Sequence, residues 1–510
     1  MLPINPGKLA AAVAGIMLAG AIPAFAADPS RAELLKELRR LSERLEKLET
    51  RNAALEKNIQ PAPAREEGQL AQRVKALEEN NAKLEAALDD DRLSENQPEL
   101  ATRLKAVEYQ SLGMLKQART VEALEGVTAG ISLTTVAQGA RGVPADAGIG
   151  SSQLNYRGDV FVSLPMPTIG DTDSKIFAQF RMGQGNGLNA LSNVFAKPNA
   201  SAFRVAGVSQ PDDSVAILGQ AWYQATIPLP FGGFKPRSRE TLEINFGKMD
   251  PFVFFDQNAA ANDETRQFLN TVFVHNALLD AGGDIGVDAN GFSPGLRVSY
   301  FNEKAKPENW RLSLGVFGAG QGANYVKFFG SPLVIAQAET QQKFFGGLTG
   351  NYRIYAWNNG QGPDYDGTAS AHGGWGVNFD QRIGDGVTAF GRYGQGAKGK
   401  LRFDRAVSLG AEIGGGYWGR GGDAAGMAFG AQRISANFRN DSAALDANGD
   451  GTPDFGYTAQ GWEKVSELYY RYRINKQFEL SPDFQLIQNP AGNGAASSVK
   501  ILGLRAQLMY

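Results

Sequence analysis

The sequence predicts an all-β transmembrane antiparallel β-barrel of about 16 strands, preceded by an α-helical coiled-coil region. Three observations predict it. From about Gly126 onward, apolar and polar residues alternate with period two. The chain closes on such a stretch, ILGLRAQLMY, with an aromatic residue, Tyr510, at its end. Ahead of residue 90 the apolar period is a heptad instead. Composition agrees with a barrel. Hydrophobic residues make up 43% of the chain, yet the mean hydropathy is −0.28, because in a membrane barrel only alternate residues meet lipid.

The elements follow in chain order. Residues 1–27 read as a secretory signal: Lys8 precedes an apolar run, and the small residues Ala24 and Ala26 mark a cleavage site before Asp28. No later stretch is apolar enough, over about 18 or more residues, to span a membrane as a helix.

Residues 28–90 read as a coiled coil. Leu34, Leu38, Leu41, Leu45, Leu48, Asn52, Leu55 and Ile59 are spaced by fours and threes. Pro61 and Pro63 break the helix, and the pattern resumes through Leu70, Val74, Leu77, Asn81, Leu84 and Leu88. Asn52 and Asn81 fall at core positions, where a buried amide favours one register and self-assembly. A rod of this length, extending roughly 80–90 Å at about 1.5 Å per residue, reaches far into a periplasm and could contact the cell wall. Residues 91–125 read as a helical linker or a plug near the barrel mouth.

Residues 126–510 read as the barrel. In LNYRGDVFVSL, Tyr156, Val160, Val162 and Leu164 oppose Asn155, Arg157, Asp159 and Ser163. In KIFAQFRM, Ile176, Ala178, Phe180 and Met182 oppose Lys175, Gln179 and Arg181. ELYYRYRI sets Leu468, Tyr470, Tyr472 and Ile474 against Glu467, Arg471 and Arg473, and the final strand sets its leucines against Arg505 and Gln507. Arginine-rich polar faces suit a water-filled lumen and not a packed core. Short turns such as 383–386 alternate with long polar connections at 187–216 and 434–461, as on the two rims of a membrane barrel.

The totals exclude several functions. With 51 basic and 53 acidic residues, no bulk charge points to nucleic acid. There are no cysteines and two histidines, His275 and His372, which removes disulfides and thiolate metal sites. Asp263 and Glu264 are a carboxylate pair, but adjacent residues diverge on either a strand or a helix, and no partner is positioned for catalysis. No enzymatic activity and no required cofactor are expected. LDANGDGTPD places Asp446, Asn448, Asp450 and Asp454 at calcium-loop spacing, with Gly451 at the turn. Tyr457 stands where the bidentate glutamate belongs, so a plain surface turn is the competing reading of this calcium candidate.

The segment LEINFGKMDPFVFFDQNAAANDETRQFLNTVFVHN (242–276) resembles the signature of the carbohydrate-selective porin family. GNYRIYAW, GVNFDQRIGDGVTAFGRYG, VSLGAEIGGGYWGRGGDAAGMAFG and the stretch 467–492 resemble it too, in the same order. The resemblance implies a 16-stranded outer-membrane barrel, usually a homotrimer, that lets sugars and other small hydrophilic solutes diffuse. The coiled coil is a departure, similar to relatives associated with inorganic ion or iron uptake. An ion or iron porin and an envelope tether are therefore the alternative functions.

Within this frame the lumen is expected to be lined by Arg157, Asp159, Lys175, Arg181, Arg353, Glu467, Arg471, Arg473 and Arg505. Met249 onward is expected to leave the strand as a long connection, with Phe252, Phe254 and Phe255 pinning it to the wall. Asp256, Asn258, Asn262, Asp263, Glu264 and Arg266 are then expected to form the pore constriction.

Overall fold

The computed structural model describes residues 127–143, 151–191, 194–203, 214–232, 238–279, 291–305, 308–319 and 330–510. The signal, coil and linker predicted for 1–125 lie outside the described residues. Sixteen strands follow one another. The first eight are β1 (Thr128–Arg141), β2 (Ser152–Ile169), β3 (Thr172–Gln184), β4 (Val215–Pro228), β5 (Glu240–Met249), β6 (Ser293–Asn302), β7 (Asn309–Phe317) and β8 (Leu333–Phe344). The rest are β9 (Leu348–Pro363), β10 (Ala369–Gly384), β11 (Val387–Lys398), β12 (Phe403–Gly414), β13 (Ala424–Ile434), β14 (Trp462–Arg473), β15 (Phe478–Gln488) and β16 (Val499–Met509).

Each strand pairs antiparallel with its chain neighbours, and β1 pairs with β16, so the sheet closes into a barrel. Closure leaves no exposed edge, which is the condition for strands to lie in lipid. The last residue completes the seam: the Tyr510 N–H donates to the Ile131 carbonyl, and the Ile131 N–H donates back, both at 2.9 Å.

Alternation sets the two faces. Ile131, Leu133, Phe180, Leu468, Leu502 and Leu504 are exposed on the outside, while Thr134, Gln138, Asn155, Arg157 and Arg505 are buried inside. This is the inversion expected of a barrel with lipid outside and polar groups within. Turns at 170–171, 345–347, 385–386 and 474–477 are short and share one rim with the two ends of the barrel chain. The other rim carries the connections 185–214, 250–292 and 435–461.

The connection expected as polar surface at 187–216 instead folds inward in its described part. Leu188, Leu191, Val194 and Phe195 are buried. Glu463 of β14 accepts from the N–H groups of Phe195 (3.1 Å) and Ala196 (2.7 Å), and the amides of Gln138 and Gln485 both donate to the Pro198 carbonyl at 2.9 Å. The 434–461 connection begins with helix α2 (Ala436–Asp441), N-capped by Ser435, whose hydroxyl accepts from the Phe438 N–H. Its Phe438 and Phe455 pack edge-on against Phe195, at 5.6 and 6.1 Å. Apolar residues within a polar-looking connection thus give it a core of its own.

Candidate functional site

The connection after β5 turns into the barrel and travels around its inner wall. Asp250 starts it: its carboxylate accepts from the Phe252 N–H (2.9 Å), and its own N–H donates to Gln220 of β4 (3.1 Å). Phe254 lies edge-on to Trp222 at 5.5 Å and under the Arg297 guanidinium at 4.9 Å. Phe255 is fully buried against Phe317 of β7. Gly315 makes this approach feasible, because a Cβ there would lie 2.8 Å from the Phe255 ring. Phe252 is buried in the same apolar cluster as Trp222, Phe255 and Phe317. It stacks on His275 of the same connection at 3.7 Å, so it stiffens the segment.

Asp256 is the first deep anchor. It is fully buried, at a positive φ of 54°, a backbone region that aspartate tolerates better than most side chains. Its carboxylate accepts from Tyr355 Oη (2.9 Å), Asn378 Nδ2 (2.6 Å), Arg392 Nε (3.2 Å) and the Asn276 N–H (2.6 Å). Those partners belong to β9, β10, β11 and the returning limb of the connection. Asn258 then donates to Asn378 Oδ1 (2.8 Å) and the Phe379 carbonyl (3.0 Å).

The far side is gripped by β14–β16 and β2. Arg266 makes a two-pronged pair with Glu479 of β15, at 2.9 and 2.5 Å. Glu467 accepts from the N–H groups of Leu269 (2.5 Å) and Asn270 (2.9 Å). Arg505 donates to the carbonyls of Glu264 (3.0 Å) and Gln267 (2.6 Å), and Arg157 reaches the Glu264 carboxylate at 2.7 Å. Phe268 packs against Tyr469 (4.9 Å) and Phe390 (5.6 Å). Helix α1 (Thr271–Val274) sits over Gly430, where any Cβ would overlap Val272.

These contacts separate the expected constriction residues into two groups. Asp256, Asn258 and Arg266, expected to face the water path, are buried and fasten the segment to the wall. Glu467, Arg471 and Arg505 do point inward, but they are buried beneath the segment and hold it. Polar backbone that leaves a strand inside a barrel must find donors and acceptors, and these side chains supply them. Asn262, Asp263 and Glu264 keep partial exposure. Asp263 closes its own turn by accepting from the Thr265 N–H (2.9 Å), and Gln267 accepts from the N–H groups of Asn262 and Asp263. Arg473 lies at the short-turn rim, with its N–H on Asp423.

The inner wall beyond the segment carries charges of both signs, paired across strands. Asp159 bridges Arg157 (2.9 Å) and Arg181 (2.7 Å), with Lys175 further along β3, 5.7 Å from the Trp222 ring centre. A longer ladder crosses six neighbouring strands. Glu243 of β5 meets Arg297 of β6 (3.1 Å) and Arg311 of β7 (2.7 Å). Glu339 of β8 then lies 3.4 Å from both Arg311 and Arg353, and Asp380 of β10 takes the other end of Arg353 at 2.8 Å. Arg311 and Glu339 retain 22% and 27% side-chain exposure, so this part of the ladder is wetted. Beside it runs a row of rings: Phe161, Phe177 and Trp222 stack at 6.5 and 4.8 Å, and Phe254 adds the next at 5.5 Å.

Sequence reasoning found Arg353 and missed the rest of the ladder. Its signal was available, since Glu243 opposes Ile244 and Arg297 opposes Leu296 and Val298 by the same alternation. Phe161 and Phe177 occupy polar-face positions, and period two places them inward despite their chemistry. Among the described residues no group of three or more His, Cys, Asp or Glu is gathered to hold a metal. In the 446–454 loop, Asp446 accepts from the N–H groups of Gly449, Asp450 and Gly451, and Asp454 accepts from Ala447.

Glu264 permits a pH prediction. Burial pushes its carboxyl up, but the Arg157 and Arg181 guanidiniums outweigh this and hold it below the usual glutamate range. A depressed folded-state pKa contributes stability that is present above the unfolded value and lost as pH falls through the folded one. The Glu264–Arg157 pair is therefore expected to survive as pH falls to the usual glutamate range and to be lost only below it, so the Glu264 carboxyl, read by infrared difference against Glu264→Gln, should protonate only below that range. Protonation of the Glu264 carboxyl near neutrality would contradict the pairing.

A closed sixteen-stranded barrel, apolar outside and charged within, and carrying an inward-folded connection, defines an outer-membrane porin-type channel. The chain belongs to the OprB family of carbohydrate-selective porins, whose family model matches residues 176–510. In fold it is similar to the high-pH structure of Pseudomonas putida OprB, with a TM-score of 0.58 and 18% identity over 76% of this chain and 94% of that one. The low-pH structure of the same protein aligns with a TM-score of 0.41 at 15% identity, covering 76% and 93%. A mutant porin of Rh. blastica aligns with a TM-score of 0.41 at 8% identity, covering 75% and 100%. No curated protein sequence matches.

Proposed function

We propose that the chain is a passive outer-membrane pore for neutral polyhydroxylated solutes, foremost sugars. The observation that carries this reading is the pairing of the wall charges. Glu243, Arg297, Arg311, Glu339, Arg353 and Asp380 are three carboxylates and three guanidiniums that pair with and neutralise one another. A lumen built this way offers dense hydrogen-bond donors and acceptors with little net field, which favours a neutral polyol over either sign of ion. The adjacent ring row suits the apolar faces of a sugar. Asn262, Asp263 and Glu264 form the segment's contribution to the constriction in this reading. Proteoliposome swelling tests it: neutral sugars should enter faster than salts of matched size, and equal, size-limited rates would remove sugar selection.

The 28–90 coil is assigned to the periplasm, where it joins three copies and tethers the barrel to the envelope. Deleting residues 28–90 should lower envelope attachment and leave sugar flux intact; unchanged attachment removes the tether. No cofactor takes part in transport. Calcium at Asp446, Asn448, Asp450 and Asp454 would stiffen an exposed loop. Calorimetric titration should then show heat that is lost in Asp450→Ala, and an absence of heat disposes of the site.

A further inference from the structure

The outer face of the barrel carries a feature that solute passage does not use. On the arc β12–β16–β1, at the rim of the long connections, lipid-side positions are cationic. Arg405 of β12 lies directly opposite Arg433 of β13, and Lys500 of β16 lies directly opposite Arg141 of β1. Lys464 of β14 is opposite Ala431, one step diagonal to Arg433. Like charges directly opposed across a sheet are destabilising. Asp404 offsets one of them, pairing with Arg433 at 2.6 Å. Among the described residues Arg141, Arg405, Lys464 and Lys500 make no side-chain hydrogen bond or ion pair, and Arg405 Nε is buried without an acceptor.

The same rim elsewhere is different. Met182 of β3, Leu218 of β4 and Leu296 of β6 face outward at that level and are exposed. Lys248 of β5 also stands on this side, but its ammonium donates to the Leu218 carbonyl (3.3 Å) and lies over the Phe292 ring, whereas the cations of the arc crowd one another. Within the arc, a groove of about 300 Å³ opens between the β13–β14 rim and α2, lined by Arg433, Ile434, Ala436, Arg439, Gly461 and Trp462. Two guanidiniums and an indole at the boundary between the apolar band and water match a headgroup that is anionic at its top and apolar below.

We infer that this arc binds an outer-leaflet lipid whose headgroup bears phosphate, seated with the phosphate between Arg433 and Arg439 and flanked by Arg405 and Lys464. Long connections mark the outward rim of such barrels, which sets the arc at the outer leaflet and not the inner one.

The test uses the full chain purified in neutral detergent, with native mass spectrometry reading retained diphosphoryl lipid A, monophosphoryl lipid A and phosphatidylcholine. Diphosphoryl lipid A should be retained most strongly, phosphatidylcholine least, and inorganic pyrophosphate should fail to replace the lipid. Changing Arg405, Arg433 and Arg439 together to Gln should weaken retention about 100-fold, and Arg439→Gln alone about fivefold, at roughly one unit of surface electrostatic attraction per cation. The single variant lies on the exposed face of α2 and tests the arc even where the triple variant misassembles. Equal retention by wild type and Arg439→Gln with an intact, heat-modifiable barrel would overturn the inference. So would equal retention of all three lipids, or a change in subunit number without a change in lipid retention.

Discussion

Replacing Asp256 by alanine is expected to release the 250–279 segment from the wall and to raise single-channel conductance. Asp256 gathers Tyr355, Asn378, Arg392 and the Asn276 N–H onto one fully buried carboxylate. Removing it leaves the Arg392 guanidinium buried without its counter-charge, and breaking one side of a buried pair costs about 3–5 kcal/mol. That loss falls on the joint between the connection and β9–β11, so the local anchor fails before the barrel does. Asp256→Asn keeps the shape and one acceptor oxygen, enough for three of the four bonds, but not the charge, and its effect should lie between wild type and alanine. The check is conductance in planar bilayers beside urea unfolding. An alanine variant with wild-type conductance and wild-type stability would show that the segment is held by other contacts.

Reversing Glu339 to lysine is expected to turn the pore towards anions. Glu339 lies 3.4 Å from both Arg311 and Arg353, and it is the carboxylate that closes the middle of the ladder. With lysine there, four cations stand side by side on β6 to β9, while Glu243 and Asp380 remain at the ends. Two units of charge at about 6 Å in a watery lumen are worth about 1.4 kcal/mol, or roughly tenfold, and salt screening reduces this. The chloride-to-potassium permeability ratio, from the reversal potential across a salt gradient, should rise about 3–10-fold. Glu339→Gln should move it in the same direction by less. A reversal potential unchanged in Glu339→Lys would place the ladder off the permeation path.

Much of the barrel was legible because alternation is a local rule. Each of LNYRGDVFVSL, KIFAQFRM and ELYYRYRI sorts its own residues between two faces, and the structure places Leu468 and Leu502 outside and Arg157 and Arg505 inside as read. The start of the inward connection after β5 was legible to within one residue: Met249, expected to open it, is the last residue of its strand. What alternation cannot reveal is which inward charges meet solvent. Arg505 and Arg353 look alike in the sequence, yet one is buried under Gln267 and Glu264 while the other joins the ladder. That difference depends on where a connection lands across the barrel, some 240 residues away in sequence for Arg505 and Glu264. The inward fold of 187–203 was missed because its apolar residues, Leu188, Leu191, Val194 and Phe195, follow neither period and read as loop.

The measurement that bears most directly on the whole account is a planar-bilayer recording of the wild-type pore while a neutral sugar is titrated into both chambers. A reversal potential close to zero across a salt gradient is expected, because the wall charges cancel, together with an ion current that falls saturably as sugar occupies the lumen. A strongly cation- or anion-selective current that sugar leaves untouched would contradict it.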